Sequence, residues 1–479
     1  MAPRYDNFIA GEWVPGDGLT PNINPSDTSD IVGEFAAGTA EQVADAVRAA
    51  REAFPTWSQS PIQQRFDILD AVGNQIIQRA EELARLLARE EGKPIGEALG
   101  EVKRAAQLFK FFAGEAVRNT GELVDSVRPG LQVEMTHEPL GVIGVITPWN
   151  FPIAIPAWKL APALAYGNTV VLKPSEVAPA CAWELVNMLD RAGLPAGVVN
   201  LVMGSGSVVG DALVRADGVD AVSFTGSVAT GRHVAEICAR SGKRVQTEMG
   251  GKNPLVVLDD ADLGIAVEAA INGAYYSTGQ RCTASSRLVV TEKIHDRFVE
   301  ALTRRLAELR VGDALDPATQ IGPVVDQRQL DKDLHYLTLA RQEGGRVIGG
   351  ERLTLDKDGY YLSPALVLDT DNSMKVNQEE IFGPVATVIK VADYDEALAT
   401  VNDTSFGLSA GICSSSLKYV THFKRHAQAG LVMVNAPTAG VDYHVSFGGR
   451  KASSYGYREQ GRAAREFFTL HKTTYIFAG

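Results

Sequence analysis

The sequence predicts an α/β protein with two open parallel-sheet domains, and three observations carry that prediction. The chain has 479 residues, more than a single hydrophobic core normally holds. Short β-branched runs followed by helical segments begin near residue 140 and start afresh after Glu248; strands that alternate with helices build βαβ units, which join into parallel sheets. Hydrophobic residues make up 45% and charged residues 22%, the balance of a folded globular chain rather than a disordered one.

Ser60, Pro61 and Gln63 read as a helix start with a capping box, and Gly92, Lys93 and Pro94 as its stop, which predicts one long amphipathic helix between them. The first α/β series consists of VIGVIT (142–147), TVVLK (169–173), VVNLV (198–202) and VDAVSF (219–224). The second contains PLVVL (254–258), a helix from about Asp262 to Tyr276, RLVV (287–290) and a helix after Lys293. Segments 121–139 and 467–477 alternate apolar and polar residues as strands do, yet lie outside both series.

The formal charge of −12 argues against nonspecific binding to nucleic acid or anionic lipid, both of which need a basic face. Residues 1–13 carry Arg4, Asp6 and Glu12 among few apolar residues, unlike a signal peptide, so a cytoplasmic chain is expected. The most apolar stretch, 140–171, is broken by Pro148, Pro152, Pro156 and Pro162, which disfavours a membrane span. Cys181, Cys238, Cys282 and Cys413 form no CxxC pair, so neither a disulfide framework nor a zinc site is expected.

Cys282 follows the helix from Asp262 in a Gly-Gln-Arg loop, where Arg281 would help hold the thiolate that attacks a carbonyl carbon. A lone cysteine is more often a small buried hydrophobe, the reading given to Cys181, Cys238 and Cys413 in their apolar or small-residue surroundings. Attack on a carbonyl makes an oxyanion that needs fixed donors. Asn150, set after a strand and stiffened by Pro148 and Trp149, is the candidate, although an Asn in a Pro-rich turn is ordinarily a turn residue. Gly226 and Ser227 open a helix after VDAVSF and would aim N–H groups at a pyrophosphate. Gly206 and Gly210, within GSGSVVG (204–210), miss the dinucleotide fingerprint by one residue of spacing and add weaker support. Lys173, Ser175 and Glu176 lie at the carboxyl end of a strand. Glu176 would accept both adenosine ribose hydroxyls and oppose a 2′-phosphate, so NAD is expected over NADP, which Lys173 and Ser175 could still accommodate.

Seven motifs then occur in order: PWNFP (148–152), KPSE (173–176), FTGS (224–227), EMGGKNP (248–254), GQRC (279–282), EEIFGP (379–384) and FGGRKAS (447–453). Through them the chain resembles the aldehyde dehydrogenase superfamily over almost its full length. The resemblance implies a Rossmann-like coenzyme domain (1–119 and 140–250), a Rossmann-like catalytic domain (251–450), and a small β flap (120–139 and 460–479) that joins subunits into a homodimer or homotetramer. It implies NAD(P)-dependent oxidation of an aldehyde to a carboxylate through a thiohemiacetal and thioester on Cys282, with the Cys282 N–H as a second oxyanion donor. Glu248 would activate the hydrolytic water and distinguishes hydrolysis from transfer to coenzyme A; Lys159 would serve in proton relay. Glu380 and Phe382 would hold the nicotinamide ribose and ring, and Ile146, Thr147, Pro148, Trp149, Asn150, Phe224, Thr225, Met249 and Gly250 complete the expected cofactor contacts. Without the family, Glu248 reads as a strand-end cap, Lys159 as a lysine snorkelling from a buried helix, and EEIFGP as a turn.

For the substrate, the pattern is most similar to bacterial α-ketoglutaric semialdehyde (2,5-dioxopentanoate) dehydrogenases, with succinate semialdehyde or a broad range of aldehydes as the alternative. Trp158 stands where succinate semialdehyde dehydrogenases often carry arginine. Arg281 would bind a distal carboxylate, or else point away from the tunnel as a thiolate or salt-bridge partner. Phe151, Trp158 and Phe447 would wall the tunnel or belong to the core. An inactive binding or structural homologue is the competing class; retention of Asn150, Glu248 and Cys282 together argues against it.

Overall fold

Both β-branched series form sheets in the computed structural model of the chain, which describes residues 2–477. Residue 1 of the expected 1–119 segment, and residues 478 and 479 of the expected flap, lie outside the described residues. In the first sheet the parallel strands run in spatial order Arg244–Glu248, Ala221–Thr225, Val142–Ile146, Thr169–Lys173 and Val199–Leu201. Most of their residues are buried on both faces, which is why they read as continuous apolar runs rather than as alternations. Asn7–Ile9 and Glu12–Val14 extend one edge, and Ser454–Tyr455 closes the other, all antiparallel.

The chain leaves Val142–Ile146 towards Thr169–Lys173 and later returns to lay Ala221–Thr225 along its other side. Strand order therefore reverses at Val142–Ile146, and the crevice at the carboxyl ends of such a pair is where open α/β sheets take ligands. The second sheet has the order Arg346–Ile348, Ala365–Thr370, Val385–Val391, Arg287–Thr291, Pro254–Val257, Ser409–Cys413 and Leu431–Val434, parallel except at the first strand. The protein is thus α/β with two Rossmann-like open sheets. A separate antiparallel sheet joins Glu122–Asp125 and Leu131–Pro139 to Thr469–Phe477, from the two segments whose alternation predicts strands.

Helix Ile95–Ala116 packs against Ile62–Gln78 and Ala154–Ala165, burying Leu108, Phe109 and Phe112 completely. The same helix carries Glu97, Gly100, Glu101 and Arg104, which follow the three-to-four-residue spacing of one helix face and line the site described below. The single helix expected from Ser60 to Gly92 is instead two, Ile62–Gln78 and Ala80–Glu91, broken at Arg79 (φ −102°, ψ 17°). Ser60 does not cap: its hydroxyl donates to the Trp57 carbonyl and accepts from Arg65 Nε, because the buried Arg65 guanidinium needs those acceptors more than the helix start does. Arg79 leaves the helical path with its guanidinium between Glu82 and Glu184. Gly92 does end the second helix, in the left-handed conformation (φ 87°) that glycine adopts without strain.

Candidate active site

The helix Leu263–Tyr275 starts at Asp262, whose carboxylate accepts from the Ile265 N–H at 2.9 Å. It ends in a turn that L-residues resist: Ser277 and Thr278 have φ of 52° and 54°, followed by Gly279 at 66°. Left-handed non-glycine residues cost about 1–3 kcal/mol each and persist only where surroundings hold them. Here Glu97 accepts from the Ser277 N–H and hydroxyl at 2.9 and 2.5 Å, and the Thr278 hydroxyl donates to the Gly322 carbonyl at 3.2 Å. Any Cβ at Gly279 would collide with the Gly383 carbonyl. The turn delivers Gln280, Arg281 and Cys282 to the place where the carboxyl ends of the first sheet meet the amino ends of the second.

A cavity of about 460 Å³ lies there, with Asn150, Glu248 and Cys282 all on its wall. The Asn150 side-chain amide donates to the Gln280 carbonyl at 2.9 Å, and the Asn150 main-chain carbonyl accepts from Lys93 Nζ at 2.7 Å. One amide N–H fixes the side chain and the other remains for a ligand. Burial first, then the charges of Glu380 and Glu248, push the Cys282 thiol up to about 12, although its own N–H and that of Thr283 point at the sulfur. At neutral pH the thiol is therefore protonated and needs a base. Asn253 fixes the Cys282 carbonyl through its amide at 2.7 Å.

Glu248 ends strand Arg244–Glu248 and is 2% exposed. Its Oε2 accepts from the Ser454 hydroxyl at 2.5 Å, while Oε1 has no partner. Burial, and next the charge of Glu459, hold its carboxyl well above the usual carboxylate range. Lys159 is off the cavity wall and does not snorkel: it is 1% exposed, ion-paired to Glu459, and donates to the Ser223 hydroxyl at 2.8 Å. It reaches Glu248 through the field it shares with Glu459.

Of the residues expected to hold a dinucleotide, Pro148, Trp149, Asn150, Thr225, Gly226, Ser227, Met249, Gly250, Glu380 and Phe382 line the cavity. Ile146, Thr147, Lys173, Ser175, Glu176 and Phe224 lie at or just past the carboxyl ends of the first sheet's strands, outside that wall, as do Gly206 and Gly210 on a π-type turn leading into helix Asp211–Arg215. The fit to such a group is physical. Thr147 and Thr225 bury hydroxyls that have no partner. Helix Val228–Ser241 starts on Ser227, whose hydroxyl bonds the Thr230 N–H and hydroxyl, so the other N–H groups of its first turn remain for an anion. Glu380 accepts from the Gly251 N–H at 2.8 Å, with no room for a side chain at Gly250, and the Trp149 and Phe382 rings meet edge to face at 5.4 Å.

On the other side, Phe151 lies under Lys93 Nζ at 4.0 Å, and Trp158 contacts Phe447 with centroids 5.5 Å apart. The Arg281 guanidinium donates to the carbonyls of Asn272 and Gly273, and its Nε has no partner. Cys181 is not in purely apolar surroundings: its N–H donates to the buried Glu90 carboxylate at 2.9 Å, and burial followed by that carboxylate raises its thiol well above the ordinary value. Sequence reasoning missed Lys93, Glu97, Glu101, Arg104, Ser454 and Glu459. The 97, 101 and 104 stripe was available as a helix-face pattern; Ser454 and Glu459 carry no local signal.

The aldehyde dehydrogenase family model matches residues 13–474. The chain is 47% identical to the alpha-ketoglutaric semialdehyde dehydrogenase of Bacillus subtilis (strain 168), over 98% of each chain. It is 43% identical to the alpha-ketoglutarate semialdehyde dehydrogenase of Haloferax volcanii, over 99% of each. Among solved structures, betaine aldehyde dehydrogenase from Staphylococcus aureus in complex with NAD+ superposes with a TM-score of 0.96 at 34% identity, covering 99% of this chain and 95% of that one.

Proposed function

The chain belongs to the aldehyde dehydrogenase family, and from that premise we propose that it oxidises α-ketoglutaric semialdehyde to α-ketoglutarate with NAD as preferred cofactor. The observation that carries this reading is the convergence of Cys282, Asn150 and Glu248 on one cavity beside two guanidinium groups. The names of the two semialdehyde dehydrogenase relatives support the substrate, and the NAD+ complex of the structural neighbour supports the cofactor.

Deprotonated Cys282 attacks the aldehyde carbon, and the oxyanion is met by the free Asn150 amide N–H and the Cys282 N–H, donors whose positions are fixed before the reaction. The charges of Glu380 and Glu248 bear on the thiol and oppose its ionisation. Glu380 and Phe382 would hold the nicotinamide end of the cofactor, Gly226 and Ser227 its pyrophosphate, and Lys173 and Glu176 its adenosine ribose, with Ile146, Thr147, Ser175, Gly206, Gly210 and Phe224 around them. Bound there, NAD supplies the hydride acceptor that turns the thiohemiacetal into a thioester. Glu248 then takes a proton from water as it attacks the thioester, a role suited to a carboxyl with a raised pKa. Lys159 and Glu459 carry that proton away from Glu248. Phe151, Trp158 and Phe447 wall the substrate tunnel, and Arg281 adds positive charge to it.

The assignment of residues 1–119 and 140–250 to the coenzyme, 251–450 to catalysis and 120–139 with 460–479 to subunit contact belongs to the same proposal. A homodimer or homotetramer is supported by the exposed Leu123, Val124, Tyr475, Ile476 and Phe477 on the antiparallel sheet. No helix among the described residues is long and apolar enough to cross a membrane, and we place the enzyme in the cytoplasm. The test is kcat/KM for α-ketoglutaric semialdehyde, succinate semialdehyde, propanal and benzaldehyde. The first ranking at least tenfold above the neutral pair supports the reading, and equal values overturn it.

A further inference from the structure

We infer that Arg104, which no sequence motif marks, binds the distal carboxylate of the anionic semialdehyde and so determines specificity in this cavity. The inference rests on the anionic substrate proposed above.

Most charged groups on the cavity wall are committed to partners within the protein. Glu101 pairs with Lys93 at 2.5 Å and accepts from the N–H groups of Ile153 and Ala154, both at 3.2 Å. Glu97 is committed to the strained turn at Ser277. Lys332 offsets the charge of Glu380. Arg281 is held by the carbonyls at the end of helix Leu263–Tyr275, the standard place for a cation at a helix C-terminus; that is a structural task.

Arg104 has no such task. Among the described residues it forms no ion pair, and Glu101 and Asp442 act on it only through their charge. One Nη donates to a neutral acceptor, Gln460 Oε1, at 3.2 Å, and the buried Nε has no partner. A guanidinium removed from water is compensated best by a carboxylate, whose two oxygens match its donor fork. A substrate carboxylate entering this cavity fills the vacancy, and a neutral aldehyde leaves it open.

A second feature holds Arg104 in place. Gln460 has φ 60° and ψ 170°, a region almost reserved for glycine and kept by other residues only when the surroundings impose it. It is fully buried. It follows Glu459, whose main chain exchanges hydrogen bonds with Phe447 at 2.7 and 2.9 Å. The strained residue thus ties the Arg104 guanidinium to the same strand contact that sets the tunnel wall at Phe447.

The experiment compares the ratio of kcat/KM for α-ketoglutaric semialdehyde to that for pentanal in the parent, in Arg104→Met and in Arg281→Leu. Loss of a charge-assisted bidentate contact lowers such a ratio by roughly 30-fold or more. We expect that fall in Arg104→Met and a smaller one in Arg281→Leu. An Arg104→Met enzyme that keeps the parent ratio overturns the inference while leaving the semialdehyde reading intact. A parent ratio near one overturns the semialdehyde reading itself, and this inference with it. Should the methionine variant fail to fold, Arg104→Lys keeps the charge without the fork: an intermediate ratio supports the contact, and the parent ratio refutes it.

Discussion

Replacing Glu248 with glutamine separates the two halves of the reaction. The substitution keeps shape: the Ser454 hydroxyl, now 2.5 Å from Oε2, retains an oxygen acceptor, so the fold loses at most about 1 kcal/mol. Chemistry loses more. A positioned general base contributes roughly two to four decades of rate, equivalent to about 3–5 kcal/mol of barrier, and here that loss falls on thioester hydrolysis alone. Stopped-flow absorbance with excess semialdehyde is expected to retain an NADH burst approaching one per Cys282, followed by turnover slowed by roughly 100-fold or more.

The pH dependence follows from burial and the charge of Glu459, which raise the Glu248 carboxyl. Its base form grows as pH climbs through that raised value, so parent turnover rises with pH there and the glutamine variant lacks the limb. Stability moves oppositely. The unfolded chain releases this proton near its ordinary value of about 4.3, whereas the folded state holds it to higher pH, so parent stability falls as pH rises between the two values. The glutamine variant escapes that loss, and its Tm relative to parent is more favourable at pH 8 than at pH 4. Undiminished steady-state turnover would refute the base assignment; loss of the burst as well would move Glu248 to activation of the Cys282 thiol.

Two further outcomes follow from other parts of the structure. Glu176→Ala removes the carboxylate beside Lys173, whose ammonium burial pushes down to about 8; the ratio of kcat/KM for NAD to that for NADP is expected to fall at least tenfold, and an unchanged ratio removes Glu176 from ribose recognition. Lys159→Met strands the buried Glu459 carboxylate, a loss of about 3–5 kcal/mol by urea denaturation. The double variant Lys159→Met/Glu459→Leu is expected to regain most of it, and no recovery would show that the pair is not the source.

The sequence by itself determined the sheets and marked the candidate reacting groups. Doubly buried parallel strands are written as uninterrupted β-branched runs, so Val142–Ile146, Thr169–Lys173, Ala221–Thr225, Pro254–Val257 and Arg287–Thr291 were legible. Cys282, Asn150 and Glu248 each sit in a short motif beside a strand or a helix end. Only the tertiary structure decided what those groups meet. Glu459 reaches Lys159 across 300 positions, Ser454 reaches Glu248 across 206, and Arg104 reaches Gln460 across 356. Nothing in a local window encodes such pairs, because partners for buried charge are chosen by desolvation after the chain has closed. The diverted Ser60 hydroxyl has the same origin: local capping preferences are worth about 1 kcal/mol, and satisfying the buried Arg65 guanidinium outweighs them.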